Sequence, residues 1–371
     1  MMESLLAELI AFETVSETSN LALQQWLAEQ LAGRGAEVKI VEGATGRANL
    51  VAYFGPNKPG GVLFSGHTDV VPPGQGWATE PWVLTKHGDR LYGRGTADMK
   101  GFFAALLVGL DQVDLASLSA PVRVLASYDE EVGCAGVRQV LPALAEDGPL
   151  DPAIIIIGEP TGMRPGRSHP GKRVVRLEVT AAEAHSSKAA DYPSAISGTA
   201  VLVRALDQIQ AACPPALPGE GPVYSLNVGT ISGGSQANLI AGSCALVYEI
   251  RFALDQNPEQ ILAPLHEAMV EVGQRLAPLG GVAATELFNY PALHTDDTQP
   301  AFAQVERLAD NGPATGVGFG TEGGLLAGVF SAPITICGPG HIADAHQPNE
   351  YVSLEQLNRC AQFVSSVAQQ L

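Results

Sequence analysis

The sequence predicts an α/β fold built in two parts, and three observations carry that prediction. Short apolar runs at residues 61–64, 121–128 and 153–157 alternate with stretches of helical length such as 102–113, and strands alternating with helices build a parallel sheet. Each of these runs leads into an acid or a histidine, and open α/β sheets collect functional groups beyond their strand ends. Between Lys172 and Tyr290 the pattern becomes β-α-β-β-α-β, the order of a split ferredoxin-like unit. The expected division is a first domain of residues 1–171 and 291–371, with residues 172–290 inserted as a second.

Taken in order, residues 4–12 read as a helix. Ser19-Asn20 offers a cap for a second helix. Its Leu23, Trp26, Leu27 and Leu31 recur at helical spacing, and Gly33 and Gly35 stop it. Strands follow at 37–42, 48–55 and 61–64, the last leading into Ser65-Gly66-His67-Thr68-Asp69. Pro72-Pro73-Gly74 forces a loop that contains Trp77 and Trp82. Asp98 closes a glycine-rich turn just before the helix at 102–113, either as a helix cap or as a carboxylate held at a loop tip. The strand at 121–128 runs into Asp129-Glu130-Glu131, and a bound cation explains three adjoining acids better than solvent does. Neighbouring side chains diverge on extended chain, so Glu130 and Glu131 have different jobs. The β-branched run at 153–157 ends in Gly158-Glu159-Pro160-Thr161.

The inserted part reads as strands at 173–180, 226–232, 242–252 and 282–289, helices at 194–209 and 258–276, and a Pro/Gly-rich loop at 214–222. A helix at 298–310, a glycine-rich loop at 316–324 and a strand at 333–337 follow. The segment Ala345-His346-Gln347-Pro348-Asn349-Glu350 precedes a closing helix at 352–370.

Composition bounds the partners. The 371 residues allow two domains, and 46% hydrophobic with 16% charged residues is a globular composition. A formal charge of -18 leaves no basic surplus to meet phosphates, which excludes nucleic acid and anionic membranes as main partners. A neutral or cationic small substrate remains compatible with it. No long apolar segment spans a bilayer, the aliphatic run at 154–157 being far too short. The start Met1-Met2-Glu3-Ser4 lacks the basic region of a signal peptide, and the five cysteines are scattered without a C-x-x-C pair. The expected address is the cytoplasm.

His67 and Asp69 share one face of extended chain. A neutral imidazole ligates metals, and a carboxylate on its other ring nitrogen fixes its orientation. Alone, a His-x-Asp is more often a strand cap beside a polar turn. Alone, too, His185 is more often an exposed loop histidine, and Arg251 is as often a strand-end surface arginine as a substrate clamp.

The set taken together is more specific. His67-Thr68-Asp69, Gly95-Thr96-Ala97-Asp98-Met99-Lys100-Gly101, Asp129-Glu130-Glu131, Gly158-Glu159-Pro160-Thr161 and the His346 segment occur in this order along nearly the whole chain. The chain resembles the M20 family of zinc-dependent amidohydrolases and peptidases, and within it the deacetylase branch. The resemblance implies a zinc-peptidase-like mixed sheet flanked by helices, with the inserted domain as a lid that also forms a homodimer. It implies two zinc ions per subunit, with cobalt or manganese as substitutes. His67, Asp98 and Glu159 then hold one ion, and Asp98 bridges to a second held by Glu131 and His346. Glu130 acts as general base and later acid, Asp69 orients His67, and a cis peptide follows Asp98. Ala184-His185-Ser186-Ser187 resembles the segment whose histidine stabilises the oxyanion. Asn238, Arg251 and Thr321 resemble substrate-gripping residues, and the charge of Glu322 suits a substrate ammonium. The implied reaction is hydrolysis of a small N-acyl amino acid, N-acetylornithine foremost. A succinylated diamino diacid, an aminoacylase or carboxypeptidase substrate, and an inactive binding relative are the alternatives. His341 is the rival ligand to His346, and Cys134 is expected to be a small buried residue.

Overall fold

The β-branched run at 153–157 is the middle of a nine-stranded mixed sheet in the computed structural model, which describes residues 1–146, 151–215 and 223–370. The strands lie in the order Glu37–Glu42, Ala48–Phe54, Val122–Ser127, Val62–His67, Ile154–Pro160, Ile334–Gly338, Gly166–His169, Leu293–His294, with Thr315–Gly316 beside Gly166–His169. Val62–His67 runs parallel to both neighbours, and Ile334–Gly338 runs parallel to Ile154–Pro160. Strands nearer the edges pair mostly antiparallel. The central strands Val62–His67, Val122–Ser127 and Ile154–Pro160 are buried along their full length, as continuous apolar runs in a covered parallel sheet should be.

Register places the chemistry. His67 stands opposite Ser127, and Ser65 opposite Ile157. Asp69, the acidic triplet after Ser127 and Glu159 therefore leave the sheet at one rim. The helix Lys100–Leu110 packs beneath that rim and is almost wholly buried. It needs close approach: a Cβ at Gly158 would lie 2.1 Å from the Phe102 ring, and one at Gly66 would lie 2.5 Å from Met99. Those two glycines let the helix bring Asp98 up beside His67. The helices Met2–Ala11, Leu21–Ala32 and Leu354–Gln370 contribute to the same apolar core.

Several local expectations differ from the structure. Asn20 does not cap the helix Leu21–Ala32 with its side chain. Its amide instead pairs with both the carbonyl and the N–H of Ala48 at 2.9 Å and donates to Thr68 Oγ1. Being buried, the amide has to be satisfied by the chain around it. Asp98 caps nothing, because the cap position of Lys100–Leu110 is Met99. The expected helix 258–276 is two, Pro258–Ile261 and Ala263–Leu276, since Pro264 lacks an N–H and its ring crowds the preceding turn. A small sheet of Thr85–His87, Arg90–Tyr92 and Tyr351–Ser353 escaped the sequence reading, because three-residue strands carry no periodicity.

The chain divides into two compact units, Met1–His169 with Leu293–Leu371, and Pro170–Ala292. The second has a four-stranded antiparallel sheet in the order Tyr224–Gly233, Ser243–Phe252, Gly171–Thr180, Gly281–Tyr290. The helices Ala195–Ala211 and Ala263–Leu276 share a core with it through Leu202, Leu206, Leu265 and Val272 against Leu177, Val179, Leu246 and Ile250. Counting only the four strands of this sheet and these two long helices, the order along the chain is β-α-β-β-α-β. Of the expected loop at 214–222, residues 216–222 lie outside the described residues. Among the described residues no helix is long and apolar enough to cross a membrane.

Candidate active site

His67 ends its strand 1% exposed. Its Nδ1 donates to the Asp69 carbonyl at 2.9 Å, since a carbonyl only accepts, and in the neutral ring this leaves the lone pair on Nε2. Nε2 lies 3.0 Å from Asp98 Oδ1 and 3.6 Å from Glu159 Oε1. The other oxygen of Asp98, Oδ2, lies 3.1 Å from His346 Nε2, which is also 2.9 Å from Glu131 Oε1. Asp98 thus turns one oxygen to each of two imidazoles. The Asp98–Met99 peptide is cis.

The donor set fits a pair of divalent cations. Donor atoms of His67, Asp98 and Glu131 lie within 4.8 Å of one another, and so do those of His67, Glu130 and Glu159. Four carboxylates here face two imidazoles, an excess of negative charge in a poorly solvated place. Carboxylate and imidazole together suit zinc, manganese or cobalt.

The protonation behaviour reflects the crowding. Burial drives the Glu130 carboxyl well above its ordinary range, and Glu131 adds to this. Burial and the Asp98 charge do the same for Glu159 and, less strongly, for Glu131. Burial would also raise Asp98, but hydrogen bonds from His346 and His67 outweigh it and hold that carboxyl low. Burial would lower His67, yet Asp69 and Asp98 hold it well above the usual imidazole value. Asp98 and Glu131 raise His346 to about 10.

The three consecutive acids have separate environments. Asp129 accepts the Glu17 N–H at 2.7 Å and pairs with Arg47. Glu131 turns to His346. The Glu130 carboxylate meets the thiol of Cys134, which is fully buried, at 3.4 Å. Asp69 has a wider role than the sequence suggested. Its carboxylate is 3.5 Å from His67 Nδ1, but it also accepts the main-chain N–H groups of Glu130 and Glu131 at 3.0 and 3.3 Å and the Ser16 hydroxyl at 2.8 Å.

Thr321 and Glu322 are not where a substrate contact was expected. Thr321 is fully buried and its Oγ1 accepts the Gly323 N–H at 3.0 Å. Glu322 is 1% exposed, and its carboxylate accepts the hydroxyls of Ser65, at 3.1 Å, and Ser127. Those serines are on the two strands that end at the rim, so Glu322 lies beneath the site rather than on an open wall. Loop composition alone did not distinguish a loop folded inward from one facing water. The rival ligand His341 is exposed and sits 2.8 Å from the Gln356 side chain. It lines a cavity of about 560 Å³ with Thr161, Arg164 and Phe319.

His185, Asn238 and Arg251 belong to the second unit. His185 is exposed, and its Nδ1 accepts the Ser187 N–H at 3.2 Å, which puts the ring proton of the neutral form on Nε2. His185 pairs with Leu239 in a two-residue ladder, next to the exposed Asn238. Arg251 is half-buried on Ser243–Phe252, its Nε 3.2 Å from Glu249, which also holds Lys172.

Two residues were given no role from sequence. Arg94 and Glu350 form a buried ion pair at 2.6 Å beside Asp98. An arginine between two glycines, Gly93-Arg94-Gly95, and an acid closing the His346 segment were the available signals.

Known proteins resemble this chain in sequence and in fold. A description of peptidase family M20/M25/M40 matches residues 63–370. An acetylornithine deacetylase of Vibrio cholerae is 33% identical over 348 residues, covering 92% of this chain and 89% of that protein. One from Pasteurella multocida is 32% identical over 378 residues, covering 97% and 95%. Among solved structures, an M20 family metallo-carboxypeptidase from Sulfolobus solfataricus superposes with a TM-score of 0.80 at 17% identity, covering 98% and 97% of the two chains. A tripeptidase from Staphylococcus aureus gives 0.77 at 21% identity, covering 100% and 98%.

Proposed function

The chain belongs to peptidase family M20/M25/M40, and from that membership we propose that it hydrolyses the amide bond of a small N-acyl amino acid, N-acetylornithine foremost, with two divalent cations. The observation that carries the reading is the Asp98 carboxylate, which faces His67 with one oxygen and His346 with the other. His67, Asp98 and Glu159 would hold one cation, and Asp98, Glu131 and His346 the other. Such a pair, when bound, polarises the scissile carbonyl and makes water more acidic. Zinc is the proposed metal.

The protein's own residues do the rest. Glu130 takes a proton from the attacking water and returns it to the leaving amine. Asp69 holds the turn that carries Glu130 and fixes the ring of His67 through its carbonyl. The second unit is read as a lid and dimerisation domain. In it, His185 donates from Nε2 to the oxyanion, Arg251 clamps the substrate carboxylate, and Asn238 contributes an amide. Thr321 and Glu322 are read as supports of the rim. The chain's acidity agrees with an enzyme that meets a cationic amine, and a cytoplasmic address is part of the proposal.

The deacetylase relatives favour N-acetylornithine over the other substrates of the family. The test is turnover of N-acetylornithine, N-succinyl-diaminopimelate, N-acetylmethionine and simple dipeptides, with and without a chelator. The reading expects chelator-sensitive release of acetate, fastest from N-acetylornithine. Fastest turnover of another member moves the substrate, and no turnover of any member ends the hydrolase reading.

A further inference from the structure

We propose that Glu350, held by Arg94, is a positioning residue that sets the Asp98 carboxylate and the His346 loop in register for two cations; this rests on the metal-dependent reading above. Glu350 is fully buried. Its Oε1 accepts the main-chain N–H groups of Ala97 and Asp98 at 2.8 and 3.0 Å. Its Oε2 accepts the Gly95 N–H at 3.1 Å and Arg94 Nη1 at 2.6 Å. An ionised carboxylate has about four acceptor positions, and here all are filled.

The four donors fix the main chain that delivers Asp98, up to its own N–H. Glu350 also closes the segment that carries His346, and its carbonyl accepts the Gly93 N–H at 3.1 Å. Two ligands far apart in the chain, Asp98 and His346, therefore share one anchor. A third loop is tied in by Arg94, which is 1% exposed. Its Nη2 reaches the carbonyls of Pro72 and Pro73 at 3.4 and 3.3 Å, just beyond Asp69, and its guanidinium lies 5.3 Å from the centre of the Trp77 ring.

A buried ion pair by itself is weak evidence for stability, since apolar residues often replace one without loss. Here an apolar replacement would strand three main-chain N–H groups within one turn of chain. The arrangement is directional: the donors converge from the loop bearing one ligand onto the residue that ends the loop bearing another. Partners one step behind metal ligands orient them, and losing such a partner typically costs about 10–100-fold in metal affinity or activity.

The test is zinc titration calorimetry and cobalt absorption on the full chain, as wild type, Glu350→Gln and Glu350→Asp. The amide of Glu350→Gln turns a donor toward donors, and Glu350→Asp keeps the charge but withdraws it by one methylene. The expected result is two ions per wild-type chain. In folded Glu350→Gln, uptake of one ion should weaken by about 10–100-fold with an altered cobalt spectrum, and Glu350→Asp should be intermediate. Circular dichroism of the metal-free forms separates this from a loss of fold. Wild-type affinity and spectrum in folded Glu350→Gln overturn the proposal and leave Glu350 a fold support. Should Glu350→Gln not fold, Glu350→Asp decides by the same criterion. A wild-type chain that takes up no divalent ion overturns the hydrolase reading and the clamp together, a result distinct from two ions bound equally well by all three proteins.

Discussion

The carboxylate of Asp69 accepts the main-chain N–H of Glu130 at 3.0 Å. The two residues are on different strands' exits, and the contact ties the loop after His67 to the loop of acids. Both loops are thereby fixed by one side chain, which also accepts from Glu131 and Ser16.

Replacing Asp69 by Asn puts an amide NH₂ among these donors. The expected effect of Asp69→Asn is about a 10–100-fold loss of kcat, because the turn carrying Glu130 shifts. His67 keeps its carbonyl partner, so most of the bound metal should remain. Metal analysis alongside steady-state kinetics checks this, and a loss of metal in proportion to activity would contradict it.

Glu130 has a carboxylate oxygen within 4.8 Å of ligand atoms of His67 and Glu159, and the proposed function gives it the role of base instead of ligand. Glu130→Ala should fold, bind two ions and lose about 10²–10⁴-fold in kcat, the usual worth of a general base. Near-normal kcat in that variant removes the base assignment.

The imidazoles predict the course of metal uptake with pH. Asp98 and Glu131 hold His346 protonated up to about 10, and His67 is also raised. A cation needs the neutral ring, so binding must displace these protons. Affinity should therefore keep rising with pH above the ordinary histidine range, with proton release seen in titrations run in buffers of different ionisation enthalpy. For the metal-free protein the sign is opposite. A folded-state pKa above the unfolded value adds stability that is full below about 6.5 and is lost as pH rises toward about 10 for His346. Denaturant melts of chelator-treated protein across that range measure it.

Glu322 tests where the glycine-rich loop acts. Glu322→Ala leaves the Ser65 hydroxyl without its acceptor and Ser127 with only the Gly66 carbonyl at 3.4 Å, and a buried group left unpaired costs about 1–3 kcal/mol. Stability in urea should fall. The preference for N-acetylornithine over N-acetylmethionine should not change, because the buried carboxylate is taken up by the Ser65 and Ser127 hydroxyls. A specific collapse of that preference would return Glu322 to the substrate wall.

The amino-acid order alone determined the strands that end at the rim, and the family resemblance of its motifs singled out His67, Asp98, Glu131, Glu159 and His346 as the proposed ligands. Buried strands are written in continuous β-branched runs, and metal-binding chemistry needs few residue types. It also contained the β-α-β-β-α-β order of the second unit, which periodicity of two and of helical spacing reveals. Only the tertiary structure decided what the buried polar side chains do. Asn20 serves a strand instead of a helix end, Glu322 meets two serines inside, and Glu350 gathers three main-chain N–H groups and an arginine. A polar side chain deep in a protein takes whichever partners the packing delivers, and those partners come from segments far away in the chain, so no local pattern encodes them.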